Sequence, residues 1–142
     1  MQIEKCERLK GADASLLSKE AVLVLLEKLA LDVTMFDVKE YTSITEYYVN
    51  ATGKSITHVA SLADDVVEHF SNCGCDALRV EGKRGNSWIL VDFGSLIVNV
   101  FDNEGRGFYN FDRLLPAECK LPIDDLVKEV DAKFEINKKK DI

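Results

Sequence analysis

The sequence predicts an α/β fold (α+β in detail), in which a mixed sheet of about five strands is flanked by helices. A long stretch with apolar residues at helical spacing lies between short apolar runs that read as strands. A strand, a helix and a further strand in this order favour a right-handed crossover. Two apolar runs joined by Gly94-Ser95 add an antiparallel hairpin, so the predicted sheet is mixed. The predicted order of elements is α-β-β-α-β-β-β-α.

The first half of the chain predicts one helix and two strands. The helix begins near Ser18, a residue type favoured at N-caps, and runs to about Leu31 with apolar residues at helical spacing. Residues 33–38 and 45–51 predict two strands, joined by a short polar segment.

The second half predicts the remaining helices and strands. The amphipathic helix covers residues 55–73, and Gly74 suits the position just after its end. Residues 77–81 predict a third strand, and the hairpin follows. Pro122 begins the last predicted helix, since proline is favoured in the first turn.

The hairpin has two faces of unlike chemistry, because alternate residues of a strand point to opposite sides. A two-residue turn at Gly94-Ser95 pairs Trp88 with Phe101, Leu90 with Asn99 and Asp92 with Ile97. One face is wholly apolar and consists of Ile89, Val91, Phe93, Leu96, Val98 and Val100. The other, which we call the mixed face, consists of Trp88, Leu90, Asp92, Ile97, Asn99 and Phe101. Large apolar groups beside an acid and an amide favour a binding surface over a solvated one.

Composition bounds the class of protein and of partner. The 142 residues, 46% hydrophobic and 30% charged, suit one globular domain. The net charge of −7 argues against binding to a nucleic-acid backbone, and it suits a basic protein partner. No run approaches the roughly 18 apolar residues of a membrane span. The charged N-terminus carries no apolar signal core, and the four cysteines lack metal-type spacing, so we expect a cytoplasmic protein with free thiols.

The segment Gly53-Lys54-Ser55 stands where a phosphate-binding loop would place these three residues, between a strand and a helix. The full pattern needs a glycine five residues before Gly53, and that position is Tyr48. The two histidines, His58 and His69, lie about 16 Å apart on one predicted helix, which is too far to share a metal. We therefore predict no cofactor and no metal.

Two residues of the mixed face can each be interpreted in two ways. Asp92 either caps the hairpin turn or meets a cation on a partner. Trp88, the only tryptophan, is either a core residue or a surface anchor. Five further aromatic residues either widen the same patch or fill gaps over the sheet, namely Tyr47, Tyr48, Phe108, Tyr109 and Phe111.

Three segments carry a family resemblance: SITEYYVNATGKSITHVASLADDV, LRVEGKRGNSWILVDFGSLIVNVF and GRGFYNFDRLL. They resemble the ribosomal silencing factor family (RsfS, also called Iojap), over residues 18–115 and in the family's order. Four positions depart from the family pattern, namely Glu46, Ser95, Asn99 and Leu115. Because Asn99 stands where the family has histidine, we expect no pH-dependent contact there.

The resemblance implies a non-catalytic protein with a trimmed nucleotidyltransferase-like fold. Such proteins bind ribosomal protein fourteen of the large subunit, block joining of the small and large subunits, and so repress translation. Several members form homodimers when free. The residues that would then contact the ribosomal protein are Glu81, Trp88, Leu90, Asp92, Asn99, Phe101, Arg106 and Tyr109.

Two other functions compete with this interpretation. One is a nucleotidyltransferase-like enzyme or nucleotide-binding protein with a pocket near residues 52–55. The other makes the mixed face a homodimer interface only. For the domain organisation, the resemblance implies an RsfS-like domain over residues 1–116. The C-terminal part lies outside the resemblance; its pattern predicts a helical extension over residues 117–136 and a disordered, lysine-rich tail over 137–142.

Overall fold

This computed structural model describes residues 6–83 and 85–140, which form four α-helices and six β-strands. In chain order the elements are α1 (Ala14–Glu27), β1 (Leu31–Asp37), β2 (Tyr47–Gly53), α2 (Ile56–Asn72), β3 (Arg79–Lys83), β4 (Trp88–Asp92), β5 (Leu96–Asp102), α3 (Asn103–Tyr109), β6 (Lys120–Leu121) and α4 (Asp124–Lys140). Short 3₁₀ turns cover Phe111–Leu114 and Ala117–Cys119.

The six strands form one mixed sheet in the order β3-β4-β5-β2-β1-β6. Only the central pair, β2 and β5, is parallel, while the other neighbours are antiparallel. These pairings make β3 run in the same direction as β2, with β5 and β4 between them. The predicted strand-helix-strand unit around α2 therefore joins two strands of one sheet that are not neighbours.

The hairpin of β4 and β5 has the predicted register. Trp88 pairs with Phe101 and Leu90 with Asn99. The Phe93 N–H donates to the Leu96 carbonyl at 2.8 Å, and Gly94 has a φ of +89°. A glycine with positive φ at the first central position is typical of a type II′ turn, the type that suits a two-residue hairpin.

The main core lies between the sheet and helices α1 and α2. The apolar face of the hairpin is buried there, as predicted. It packs with buried side chains of both helices, which include Ala21, Val22, Leu25, Leu62, Val66 and Phe70. Helix α4 packs against α1 on the same side of the sheet.

The second face of the sheet is covered by residues 103–119, which we call the covering segment. It begins with α3, capped by Asp102, whose carboxylate accepts the Gly105 N–H at 2.6 Å. A small second core lies between this segment and the sheet and consists of Phe36, Val38, Tyr48, Ile97 and Cys119. Because of this cover, Ile97, Asn99 and Phe101 are buried rather than on a free sheet surface.

The first helix begins four residues earlier than the sequence pattern predicts. Its N-cap is Asp13, whose carboxylate accepts the Leu16 N–H at 2.8 Å. Ser18 is not the cap, since it is buried inside the helix and its hydroxyl donates to the Ser15 carbonyl at 2.9 Å. Both Asp and Ser are favoured caps, so the pattern alone does not choose between them.

The C-terminal part adds a strand and a longer helix to the predicted elements. The sixth strand, β6, pairs with β1 and has only two residues, which is too short for a periodic pattern. Helix α4 begins at Asp124 and continues to Lys140, although the sequence predicts a disordered tail from residue 137. Lysine is a good helix former and is favoured near a helix C-terminus, which accounts for the extension. Residues 141–142 of the predicted tail lie outside the described residues, and the domain division at residue 116 stays a prediction.

No helix within residues 6–83 and 85–140 combines the length and the apolar character that a membrane crossing needs.

Candidate functional site

The eight residues predicted for partner contact lie on the mixed face, on β3 beside it, or on α3 above it. Glu81 pairs with Leu90, and Leu90 pairs in turn with Asn99, so these three form one row across the sheet. Arg106 and Tyr109 belong to α3. The structure therefore brings the predicted residues together, but it buries some of them.

Trp88 is the centre of an aromatic cluster. Its ring centroid lies 5.2 Å from Phe101, 4.6 Å from Tyr109 and 5.9 Å from Phe111. Trp88 and Tyr109 are half-buried, while Phe101 is fully buried. Trp88 therefore packs against other rings and is also partly exposed, which fits both interpretations of this residue.

A chain of polar side chains runs beneath this cluster. The Trp88 indole N–H donates to Asn99 Oδ1 at 2.9 Å, and Asn99 Nδ2 donates to Asn50 Oδ1 at 3.0 Å. Asn50 Nδ2 then donates to Asp112 Oδ1 at 2.7 Å. Both asparagines have 0% exposure, so these bonds replace the water that the amides lose on burial. No direct contact between Asn99 and a partner is available in this arrangement.

Arg106 extends the polar chain from α3 back to the sheet. Its guanidinium donates to Asp112 Oδ2 at 2.8 Å, to Thr52 Oγ1 at 3.0 Å and to Thr34 Oγ1 at 3.2 Å. The guanidinium carbon also lies 5.7 Å from the Phe101 ring centroid. Only 16% of the Arg106 side chain is exposed, so this residue fastens the covering segment to the sheet.

Asn50 and Asp112 are absent from the predicted set. Asn50 alternates with apolar residues on its strand and so reads from the sequence as an ordinary strand residue. The signal that would reveal it is the pairing of β2 with β5, which places it directly beside Asn99. That pairing joins strands about 50 residues apart, and sequence patterns within one chain do not specify such distant neighbours.

Asp92 caps the hairpin turn and also meets an arginine of its own chain. Its carboxylate accepts the Gly94 N–H at 2.7 Å and the Arg79 Nε–H at 3.2 Å. Arg79 also donates to Glu81 at 2.7 Å. The side chain is 19% exposed for Asp92 and 43% for Glu81, so Glu81 is the more accessible acid. The capping interpretation of Asp92 is therefore confirmed.

The covering segment presents two large apolar side chains to solvent. Phe108 is 66% exposed and Leu114 is 75% exposed, and the Phe108 ring lies 5.1 Å from Tyr109. A cavity of about 510 Å³ is lined by Phe108 and Tyr109 and also by Ile56. Neither Phe108 nor Leu114 is among the eight predicted contact residues, because the segment after the hairpin has no clear periodicity from which to assign a face.

The segment Gly53-Lys54-Ser55 is held by contacts within the chain. A Cβ on Gly53 would lie 2.8 Å from both the backbone nitrogen and Cγ2 of Val59, so the glycine lets α2 approach β2. The Lys54 N–H donates to His58 Nδ1 at 2.9 Å, and the Ser55 hydroxyl caps α2 by accepting the His58 N–H at 3.0 Å. These residues thus serve the start of the helix. In the described part of the chain, no group of three or more His, Cys, Asp and Glu residues could hold a metal.

Comparison with known proteins identifies the family. The family model described as "Ribosomal silencing factor during starvation", RsfS, matches residues 12–141. This match extends beyond residues 18–115 and includes most of the C-terminal segment.

Individual relatives agree with the family model. The ribosomal silencing factor RsfS of Haemophilus influenzae is 32% identical over 83 residues, which cover 58% of this chain and 81% of the relative. That of Chromobacterium violaceum is 31% identical over 98 residues, covering 69% and 80%. The mouse protein named "Mitochondrial assembly of ribosomal large subunit protein 1" is 27% identical over 96 residues, covering 66% and 42%.

Solved structures share the fold. A crystal structure of a Chromobacterium violaceum protein superimposes with a TM-score of 0.69 at 29% identity, covering 72% of this chain and 85% of that one. A Bacillus halodurans structure gives 0.65 at 25% identity, covering 78% and 99%. The predicted fold class, a mixed sheet with flanking helices, is confirmed. Because the family model matches residues 12–141 of the 142, the chain belongs to the RsfS family of ribosomal silencing factors.

Proposed function

We propose that this protein binds the large ribosomal subunit through its ribosomal protein fourteen and thereby blocks joining of the small subunit. Translation falls because large subunits occupied in this way do not form complete ribosomes. Membership of the RsfS family supports a role in ribosome silencing. The name of the mouse relative also refers to the large ribosomal subunit.

The observation that carries the proposal is the apolar surface above the mixed face. Phe108 and Leu114 of the covering segment are largely exposed, and Tyr109 of the same segment is half-buried. Trp88 and Leu90 of the sheet are half-buried as well. Aromatic side chains that are partly packed and partly accessible are typical anchors of protein interfaces. Since the cluster is already ordered within the chain, binding costs little side-chain entropy.

The predicted contact residues divide into two groups by their exposure. Trp88, Leu90, Tyr109 and Glu81 reach the surface and make the contact. Asn99, Phe101, Arg106 and Asp92 support it from within, through the bonds and ring contacts described above. Phe108 and Leu114 join the first group.

The charge of the chain supports a basic partner. A net charge of −7 attracts a basic ribosomal protein and speeds the encounter. The same charge opposes unspecific adhesion to ribosomal RNA, whose backbone is negative. The contact therefore depends on the protein component of the subunit.

The proposed mechanism is steric and needs neither a substrate nor a cofactor. The protein acts by occupying the surface at which the small subunit joins, so it is not an enzyme. Such a role places it in the cytoplasm, with the ribosomes of the cell.

The test removes the two exposed apolar side chains together. We expect Phe108→Ala with Leu114→Ala to weaken co-sedimentation with purified large subunits at least 10-fold, because both are central to the proposed contact. Folding stability should change by less than about 1 kcal/mol, since exposed side chains contribute little to the core. The matched control is Leu16→Ala on α1, a 41% exposed leucine that lies on the other side of the sheet.

Full co-sedimentation by the double variant would overturn the proposed surface. Equal loss in the Leu16→Ala control would show that the effect is general and does not depend on the site. Competition with isolated ribosomal protein fourteen identifies the partner, because it should release the protein from the subunit.

We also propose that the free protein forms a homodimer through the same surface. Sedimentation equilibrium should then give a dimer for the wild-type chain and a monomer for the Phe108→Ala, Leu114→Ala variant. A variant that is monomeric yet still binds large subunits would make this surface a dimer interface only.

A further inference from the structure

Two cysteines from distant parts of the sequence lie side by side at the end of α2. The Leu9 N–H donates to the Cys73 carbonyl at 2.8 Å. A Cβ on Gly74 would lie 3.1 Å from the Glu7 Cα, so residues 7 and 74 are in close backbone contact. Cys6 and Cys73 each precede this contact by one residue, and each thiol lies close enough to shift the pKa of the other.

Residues 7–9 are held in this position by contacts with α1, with the end of α2 and with the main core. Leu9 is 1% exposed and belongs to the main core. The Arg8 guanidinium donates to both carboxylate oxygens of Glu20 on α1, with a distance of 3.1 Å for the Nη1 bond. Glu20 also bonds His69 on α2 at 2.7 Å. These contacts hold the residues beside Cys6 against α1 and against the end of α2, where Cys73 lies.

The two thiols differ in exposure and in acidity. Cys6 is exposed and Cys73 is buried. The Arg8 backbone N–H donates to the Cys6 sulfur and lowers the pKa of its thiol, with the hydrogen bond to Cys73 acting in the same direction. Burial raises the pKa of the Cys73 thiol. A more acidic, accessible thiol beside a less accessible one is the usual arrangement of a peroxide-reactive pair.

We propose that Cys6 and Cys73 form a redox modification site, at which a hydroperoxide converts the two thiols into an intramolecular disulfide. In the first step the Cys6 thiolate attacks one oxygen of hydrogen peroxide, which gives a sulfenic acid and releases hydroxide. In the second step the Cys73 sulfur attacks the Cys6 sulfur and displaces its hydroxyl group. That hydroxyl leaves as water with the proton of the Cys73 thiol, so two thiols and one peroxide give one disulfide and two waters.

The disulfide would join the N-terminal segment to the end of α2. It closes a long loop of the unfolded chain, and such cross-links stabilise the folded state. The site lies on the helical side of the sheet, whereas the covering segment lies on the other side. Subunit binding should therefore be the same before and after oxidation, which keeps this inference independent of the proposed function.

The test uses the chain with Cys75→Ser and Cys119→Ser, so that only the proposed pair remains. One equivalent of hydrogen peroxide should lower the intact mass by two hydrogens and protect both thiols from alkylation. The melting temperature should rise by about 5 °C and return on reduction. Cys6→Ser in the same background is the control, and it should neither lose hydrogens nor gain stability.

Three outcomes would overturn the inference. Cys6 could reach the sulfinic acid while Cys73 stays open to alkylation. The oxidised sample could consist of disulfide-linked dimers. Peptide mapping of the wild-type chain, a second measurement that does not depend on the variants, could place the bond of Cys73 on Cys75 instead of Cys6.

Discussion

Two buried asparagines, Asn50 and Asn99, join the sheet to the segment that covers it. Asn99 accepts the Trp88 indole N–H and donates to Asn50, and Asn50 donates to Asp112. Each amide has one orientation that satisfies these bonds, because a flipped amide would place donor against donor. Satisfied buried polar networks fix packing more strictly than apolar contacts do. We infer that this chain of bonds keeps Trp88 in a single position.

Replacement of Asn99 by alanine should destabilise the fold. Asn99→Ala removes the hydrogen bonds that Asn99 makes with the Trp88 indole N–H and with Oδ1 of the fully buried Asn50, and we expect a loss of about 3 kcal/mol in the free energy of unfolding. Urea titration followed by the fluorescence of the single tryptophan measures it. The control is Asn103→Ala at an exposed position, with an expected change within about 0.5 kcal/mol. Equal effects of the two changes would contradict the account.

Protonation of Glu20 makes the stability of the fold depend on pH in the acid range. Hydrogen bonding from Arg8, with a further bond from His69, lowers the pKa of this carboxyl from its ordinary value of 4.5. A folded-state pKa below the unfolded value stabilises the fold at pH values above the unfolded pKa. That contribution is lost as the pH falls through the folded pKa. Wild type should therefore be more stable than Glu20→Gln by about 1 to 2 kcal/mol at neutral pH.

The pH dependence of this difference is the test. Urea titrations across the acid range should show that the difference in the free energy of unfolding between wild type and Glu20→Gln is constant above about pH 5. The difference should shrink at lower pH. Glu68→Gln, an exposed residue of α2, is the control with the same change of charge. A Glu20→Gln difference that stays constant down to the lowest pH would contradict the assignment.

At the scale of elements, α3 is the part that turns a sheet face into a binding surface. It carries Arg106, Phe108 and Tyr109 and approaches the start of the hairpin through Gly105. A Cβ on Gly105 would lie 2.3 Å from the Ser87 carbonyl oxygen, so only glycine fits there. The same helix contains Gly107, which has nothing within 4 Å of a built Cβ. A side chain is therefore excluded at Gly105 but would fit at Gly107 of the same short helix.

These two glycines give a matched pair of substitutions. Gly105→Ala should destabilise the fold by about 2 to 3 kcal/mol, because the backbone of α3 or of the hairpin must move. Gly107→Ala should be neutral, or stabilising by up to about 1 kcal/mol, since alanine is the better helix former. Urea titration gives both values, and tryptophan emission should shift only for Gly105→Ala, because Trp88 lies under α3. Similar values for the two variants would contradict the close contact.

At the scale of the whole molecule, local patterns predict the elements better than they predict their assembly. The hairpin register follows from a two-residue turn and alternating side chains, and α2 follows from its apolar stripe and its cap. Both signals come from residues close together in the chain. The sheet order and the covering segment depend on contacts between distant residues, such as Asn50 with Asn99. For this reason the mixed face is predicted as a surface, although much of it is buried.

The candidate site divides in the same way. The hairpin is predicted from the sequence, and an anchor role is one of the two interpretations that the sequence allows for Trp88. Helix α3 is not among the predicted elements. The contacting residues can be told from the supporting ones only because Asn99, Phe101 and Arg106 are largely buried in the structure. The periodicity of the sequence does not predict this burial. The exposure of Phe108 and Leu114 follows from the position of the covering segment in the structure and is not predicted by the sequence pattern.

The joining of purified ribosomal subunits, followed on sucrose gradients, shows whether this protein prevents the formation of complete ribosomes. Large subunits incubated with excess protein and then mixed with small subunits should give far fewer joined ribosomes than large subunits alone. The Phe108→Ala, Leu114→Ala variant should leave joining close to the level without protein. A joined fraction that stays unchanged by saturating wild-type protein would contradict the account.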